Sequence, residues 1–330
     1  MTEQMIDVPS RWALRRGDRV RVRSRDEILA SLDTDGTLDG LPFMPEMLEY
    51  CGRELPVQAR ADKTCDTINA TGTTRALLDT VHLAGARCDG GAHGGCQAGC
   101  LLFWREAWLE PAGATATAPD PAPTWSAPSE KLAAGATRIN DAGEQVYRCQ
   151  ATELLKASRH LRRRDLSQFV RDVRTRNVPL RTMLVGLPVE AFNSFQWIAT
   201  HRLPRWLRPF GGREFPFVRG TGTGARTRAA GLRPGDLVEV KSKAEIMATL
   251  DAGNRNRGML FDAEMLRYCG RRFRVQAKVS RILDEATGKM IKLGDCYILE
   301  DVVCQGIYHR FCPRAITPYW REAWLRRVEG

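Results

Sequence analysis

The chain has 330 residues, 43% of them hydrophobic, with a formal net charge of +11 and ten cysteines. That composition excludes a wholly disordered chain and gives length for two or three domains with buried cores. Residues 1–16 carry no export-type pattern and no apolar run reaches the ~18 residues of a membrane span, so a soluble cytoplasmic protein is the expectation.

In a reducing compartment, clustered thiols point to metal binding or catalysis more than to a disulfide framework. An exported chain could pair all ten cysteines, but pairing leaves unexplained a histidine that repeats in register with them. The charge is uneven: net −6 over residues 1–130, +13 over 131–234 and +4 over 235–330. All but two of the cations in the middle segment are arginine.

Taken in chain order, residues 14–110 form a first Cys/His module. Arg19-Val20-Arg21-Val22-Arg23 alternates as a strand with one buried face. Ser24-Arg-Asp-Glu27 has capping-box form and opens a short helix. A second short helix over Pro45–Tyr50 ends at Cys51-Gly52, with the glycine at the left-handed position after a helix. Residues 62–79 read as a Thr-rich polar loop. Then come Cys88-Asp-Gly-Gly-Ala-His93-Gly-Gly-Cys96 and Phe103-Trp-Arg-Glu-Ala-Trp-Leu109.

Residues 111–129 are an Ala/Pro/Thr linker. Residues 130–224 read as a basic helical domain, with helices over Thr152–Arg163, Asp165–Thr175 (Asp165 and Gln168 as a capping pair) and Leu180–Thr200, followed by a Pro-, Gly- and Arg-rich connector.

Residues 232–330 repeat the first module. From Gly17–Arg60 against Gly235–Lys278 about half the positions are identical, which identifies an internal duplication. Ser242–Glu245 matches the capping box, Cys269-Gly270 the helix end, and Cys304-Gln-Gly-Ile-Tyr-His309-Arg-Phe-Cys312 the Cys-x4-His-x2-Cys knuckle. Here Phe273–Leu283, Met290–Leu293 and Tyr297–Val303 read as strands, and a terminal helix is expected from Pro318. The fold class is therefore α+β: two small, mainly-β modules flanking a helical middle, for which a small twisted sheet or SH3-like barrel suits the element order.

Three thiols and an imidazole per module suggest two structural zinc ions. The ligands would be Cys51, Cys88, His93 and Cys96 in the first site and Cys269, Cys304, His309 and Cys312 in the second. Gly90 and Gly306 would let each knuckle turn tightly and aim its amides at sulfur. Buried core cysteines are the alternative, because duplication copies them as faithfully as ligands. Cys65, Cys100 and Cys296 fall outside the matched set and read as bystanders, with Cys296 an alternative ligand should His309 not serve.

In the middle segment Arg159, Arg162, Arg163 and Arg164 fall on an expected helix, and Arg205 and Arg208 interleave with Trp206 and Phe210. Guanidinium groups pair with phosphate and aromatic rings stack on bases, so an anionic partner, nucleic acid or an acidic protein, is expected. An acidic polysaccharide or an anionic membrane surface would be served equally, and a solvated arginine-rich face is the plain alternative. No hydrolase, nucleotide-binding or zinc-protease motif is present, so no catalytic residue can be nominated.

Cys88-Asp-Gly-Gly-Ala-His93 resembles the CDGSH iron-sulfur family, which implies a [2Fe–2S] cluster on three cysteines and one histidine. The chain has one more residue between Cys and His and lacks that family's upstream Cys-x-Cys. The tail Cys312-Pro-Arg…Tyr319-Trp-Arg-Glu-Ala-Trp-Leu325 resembles a group of uncharacterised bacterial proteins associated with biosynthetic gene clusters, and carries no catalytic residue across. Two functions result: a zinc-stabilised cytoplasmic binding or scaffold protein engaging an anionic partner, or a metalloenzyme or accessory protein of a specialised biosynthetic pathway.

Overall fold

The computed structural model describes residues 14–69, 74–113, 130–163, 165–224 and 231–328. The fold is mixed α+β, with several small antiparallel sheets. The first five-stranded sheet contains β1 (Arg19–Val22), β2 (Glu54–Arg60), β3 (Thr80–Leu83), β4 (Trp104–Arg105) and β5 (Leu109–Pro111), in the order β4-β3-β2-β1-β5. The second contains β6 (Leu237–Val240), β7 (Arg272–Leu283), β8 (Met290–Leu299), β9 (Trp320–Arg321) and β10 (Leu325–Arg327), in the matching order β9-β8-β7-β6-β10. Val20 pairs with Leu55 as Val238 pairs with Phe273, and both central strands shift register at the same place, between Val57 and Ala59 and between Val275 and Ala277.

The alternating strands bury Val20, Val22, Val238 and Val240 completely. Both capping boxes form, with Ser24 and Ser242 each accepting the amide of the glutamate three residues on. Gly52 and Gly270 take the expected left-handed conformation, with φ of 75° and 74°.

The Trp-Arg-Glu-Ala-Trp segments are not helices. Each is a strand, one 3-10 turn and a second strand, over Trp104–Pro111 and Trp320–Arg327. Two tryptophans four apart imitate a helical face, but here both ends of the turn point into the core. Trp108 and Trp324 meet Phe43 and Phe261 edge-on at 5.2 Å, and their indole N–H groups donate to Ser31 and Thr249. The arginine between them is buried: Arg105 donates to the carbonyls of Leu38, Asp39 and Leu78, and Arg321 to those of Asn256, Arg257 and Gly294. Buried carbonyls need donors, and one guanidinium supplies several.

The expected loop at 62–79 contains a hairpin, Thr64–Cys65 with Thr74–Ala76, extended by a third strand, Arg159–Leu161. The expected helix over Thr152–Arg163 is thus only one turn, Leu154–Ala157, and Arg159 lies on a strand. Pairing with the hairpin edge, absent from a local reading, outweighs the helical propensity of this stretch. Helices do form over Ser167–Arg174 and Leu180–Arg202. Asp165 accepts the amide of Ser167, and Gln168 donates to the Asp165 carbonyl, so the pair turns the chain without forming a reciprocal cap.

The hairpins of the two halves are exchanged. The amide of Leu283, from the second, donates to Cys96 Sγ at 3.3 Å, and that of Cys65, from the first, lies 3.1 Å from Cys312 Sγ. Each hairpin therefore covers the knuckle of the other half.

Candidate metal centre

Both knuckles close through a glycine. Gly90 and Gly306 have φ of 75° and 71°, and a Cβ on either would stand 1.9 Å or 2.3 Å from the carbonyl oxygen of Cys96 or Cys312. Their amides point toward the sulfurs of Cys88 and Cys304. Gly90→Ala is therefore expected to cost about 1–3 kcal/mol through backbone conformation alone, and to open the first knuckle. A lowered melting temperature together with weakened metal retention checks this.

Among the described residues, one group of potential ligands has all its donor atoms within 4.8 Å of one another: Glu46, Cys88 and His93. Glu46 comes from the first turn of the Pro45–Tyr50 3-10 helix, where its Oε1 accepts the amide of Ala92 at 3.0 Å and lies 3.9 Å from Cys88 Sγ. His93 Nε2 donates to the Arg148 carbonyl at 3.1 Å, since a carbonyl can only accept. Nδ1 faces Glu46 Oε1 at 2.7 Å, an ion pair when the imidazole carries both protons and a free donor nitrogen when only Nε2 is protonated. His93 is 1% exposed and Glu46 5%. An imidazole anchored through one nitrogen, with the other beside a carboxylate and a thiol, has the form of a metal ligand. Burial alone would push the Glu46 carboxyl up, but the His93 imidazole and the Ala92 amide hold it below its ordinary value.

Further thiols lie beside this group. Cys88, Cys96, Cys100 and Cys149 line a cavity of about 30 Å³ together with His93 and the Arg314 guanidinium. Cys149 reaches it because Gln150 is stitched into the first module, accepting the Phe103 amide and donating to the Pro42 and Phe103 carbonyls. Burial pushes the Cys100 thiol up to about 12 and the Cys149 thiol to about 11.

The expected ligand quartets are not assembled as such. Cys51 and Cys269 do end their 3-10 helices, but neither joins Cys88 and His93, or Cys304 and His309, in a group of close donors. Cys96 stands apart from the close group and accepts the Leu283 amide. Cys312 is joined in a disulfide to Cys65, so its sulfur is unavailable to a metal and Cys65 is no bystander. His309 points its Nε2 at Asp262 Oδ1, 3.0 Å away, a partner that Met44 does not offer His93 at the matching position. Cys304 is half-buried beside Glu264, and its desolvation and that carboxylate both push its thiol up. Cys296 accepts a hydrogen bond from Arg321 and lies apart from His309 and Cys304.

The second knuckle instead forms one wall of a cavity of about 1120 Å³. Asp262, Glu264, Cys304 and His309 face Glu190, Asn193 and Trp197 of the Leu180–Arg202 helix across it. The amides of Gln305 and Tyr308 donate to Glu264, so this carboxylate fastens the knuckle as Glu46 does in the first half.

The arginines of the middle segment differ in their surroundings. Arg159, Arg162 and Arg205 are exposed, and Trp206 beside Arg205 is 81% exposed. Arg163 stacks on Trp197 at 4.4 Å, while Arg208 donates to the Leu203 carbonyl. Arg164 lies outside the described residues.

No helix among the described residues is long and apolar enough to cross a membrane. Comparison with protein-family models, curated proteins and solved structures finds no match to this chain. The chemistry must be read from the site, and the Glu46, Cys88 and His93 cluster can hold a metal ion.

Glu46, Cys100 and Cys149 were missed in the sequence. Glu46 left a signal, since Glu264 matches it in the second copy. Cys100 and Cys149 left none, because the matching position to Cys100 is Ile316 and Cys149 lies between the repeats.

Proposed function

We propose that the protein is a metal-stabilised binding protein whose first half carries one transition-metal centre anchored on Cys88. The observation that supports this is the buried convergence of thiol, imidazole and carboxylate at Glu46, Cys88 and His93. Thiol and imidazole donors suit zinc and iron alike, and the engagement of Cys312 and His309 elsewhere favours one centre over two. In this reading each half is an SH3-like module, and the centre fastens the knuckle of the first. Elemental analysis of the purified chain is expected to give a single centre per molecule, retained by Cys304→Ser and lost from Cys88→Ser. A chain free of zinc and iron would refute the proposal.

The partner we propose is anionic, nucleic acid or an acidic protein, engaged by Arg159, Arg162 and Arg205 with Trp206 for stacking. Eight free cysteines set against the one Cys65–Cys312 disulfide favour a reducing compartment such as the cytoplasm. Affinity for single-stranded nucleic acid is expected to fall steeply between ~50 and ~200 mM salt, as counterion release requires. An electrophoretic or fluorescence titration at the two salt levels checks it, and no binding at low salt removes nucleic acid as the partner.

The cavity of about 1120 Å³ favours a second reading, a metalloenzyme or accessory protein of a specialised bacterial biosynthetic pathway that takes a small molecule beside Cys304 and His309. A small-molecule screen read by thermal shift, with His309→Ala as control, separates the two.

A further inference from the structure

We infer that the metal centre of the first half is an iron–sulfur cluster held by four thiols, Cys88, Cys96, Cys100 and Cys149. This rests on the reading that the first half binds a metal, and it assigns to Glu46 and His93 the role of fastening the knuckle around the cluster.

The four cysteines come from two separate segments. Cys88, Cys96 and Cys100 sit along one glycine-rich loop, and Cys149 arrives from beyond the linker on a segment that His93 grips through the Arg148 carbonyl. All four face one cavity. Cys88 and Cys149 also pack against the first core, so it is the convergence of four sulfurs on one cavity, and not their burial, that points to a shared ligand.

One of the four sulfurs is supplied with a backbone amide at hydrogen-bond distance: Cys96 takes that of Leu283 at 3.3 Å. A neutral thiol is a weak acceptor, whereas a metal-bound thiolate is a strong one, and amides directed at sulfur are one of the means by which a protein tunes such a cluster. A buried cation completes the surroundings. Arg314 enters from the second half with its side chain 3% exposed, lines the cavity and pairs with Glu285 at 3.0 Å. Arg314 also donates to Thr67 Oγ1 at 2.6 Å, and a guanidinium lining the cavity would offset part of the charge of bound thiolates.

The spacing is compatible with a cluster and does not suit one ion held by all four thiols. One zinc at ~2.3 Å from each sulfur would draw the four to within about 4 Å of one another. Among the described residues no three cysteines have their sulfurs within 4.8 Å of each other. A cluster distributes its thiolates over several irons and holds them further apart.

The test is purification of the full chain under anaerobic conditions, followed by iron, zinc and acid-labile sulfide analysis, visible absorption, and electron paramagnetic resonance after dithionite reduction. Iron and sulfide in equal amounts, a broad visible band and a low-temperature signal on reduction are expected. Cys100→Ser and Cys149→Ser each lose most of the iron, whereas Cys304→Ser keeps it. Circular dichroism identifies a variant that has failed to fold, and in that case reconstitution of the demetallated wild-type chain with ferrous iron and sulfide is the deciding measurement. Zinc bound one to one, retained by Cys149→Ser and lost from His93→Ala, overturns the cluster and leaves the metal centre standing. No metal in the purified chain, and none taken up on reconstitution, overturns both.

Discussion

Cys88→Ser is expected to release the metal and lower the melting temperature of the protein to that of the wild-type chain treated with a chelator. Cys88 is the donor shared by the close Glu46 and His93 group and by the thiol-lined cavity, so no arrangement of the centre survives its loss. Metal that binds the folded chain and not the unfolded one contributes its binding free energy to folding, on the order of 10 kcal/mol in small zinc domains. The first half also has a large apolar core around Trp104 and Trp108, so the variant should stay collapsed, with its damage at the knuckle and at the Cys149 segment. Hydrogen exchange localises it. Equal melting temperatures for Cys88→Ser and metal-loaded wild type would show that the knuckle is held without a metal.

Arg60→Met is expected to destabilise the protein by about 3–5 kcal/mol, the cost of leaving a buried charge without its partner. Arg60 forms a bidentate pair with Asp62, at 2.7 and 3.0 Å, and a further pair with Glu106 from the Trp-Arg-Glu-Ala-Trp segment. The side chains of Arg60 and Glu106 are 8% and 7% exposed. At the matching position of the second half Lys278 is exposed, and Glu322 accepts the Leu232 amide instead, so Lys278→Met should be nearly silent. The contrast between two matched substitutions in one chain controls for the change of residue type.

The loss depends on pH. Burial raises the Glu106 carboxyl to about 6 despite the opposing pull of Arg60. A carboxyl raised on folding adds stability that is full below its ordinary value near 4.5 and disappears as pH rises through about 6. Removing Arg60 raises the group further, so the deficit of Arg60→Met should be largest near pH 8 and shrink toward pH 5. Urea midpoints at the two pH values measure it. Arg60→Met combined with Glu106→Leu should recover part of the stability, since no carboxylate then remains opposite the lost guanidinium.

The amino-acid sequence by itself determined the local features of this protein: the alternating strands Arg19–Val22 and Leu237–Val240, both capping boxes, the left-handed Gly52 and Gly270, and the two glycine-hinged knuckles. Each depends on residues within a few positions of one another, and their repetition made them legible twice. Only the tertiary structure decided which sulfurs meet. Cys65 reaches Cys312 from 247 residues away, the hairpins cross between the halves, and Cys149 joins Cys88 across the linker. Duplication copies a residue but not its neighbours. Met44 and Asp262, Cys100 and Ile316, Cys65 and Leu283 occupy matched positions, and those exchanges turned one ancestral knuckle into a thiol-lined cavity in the first half and the wall of a large open pocket in the second.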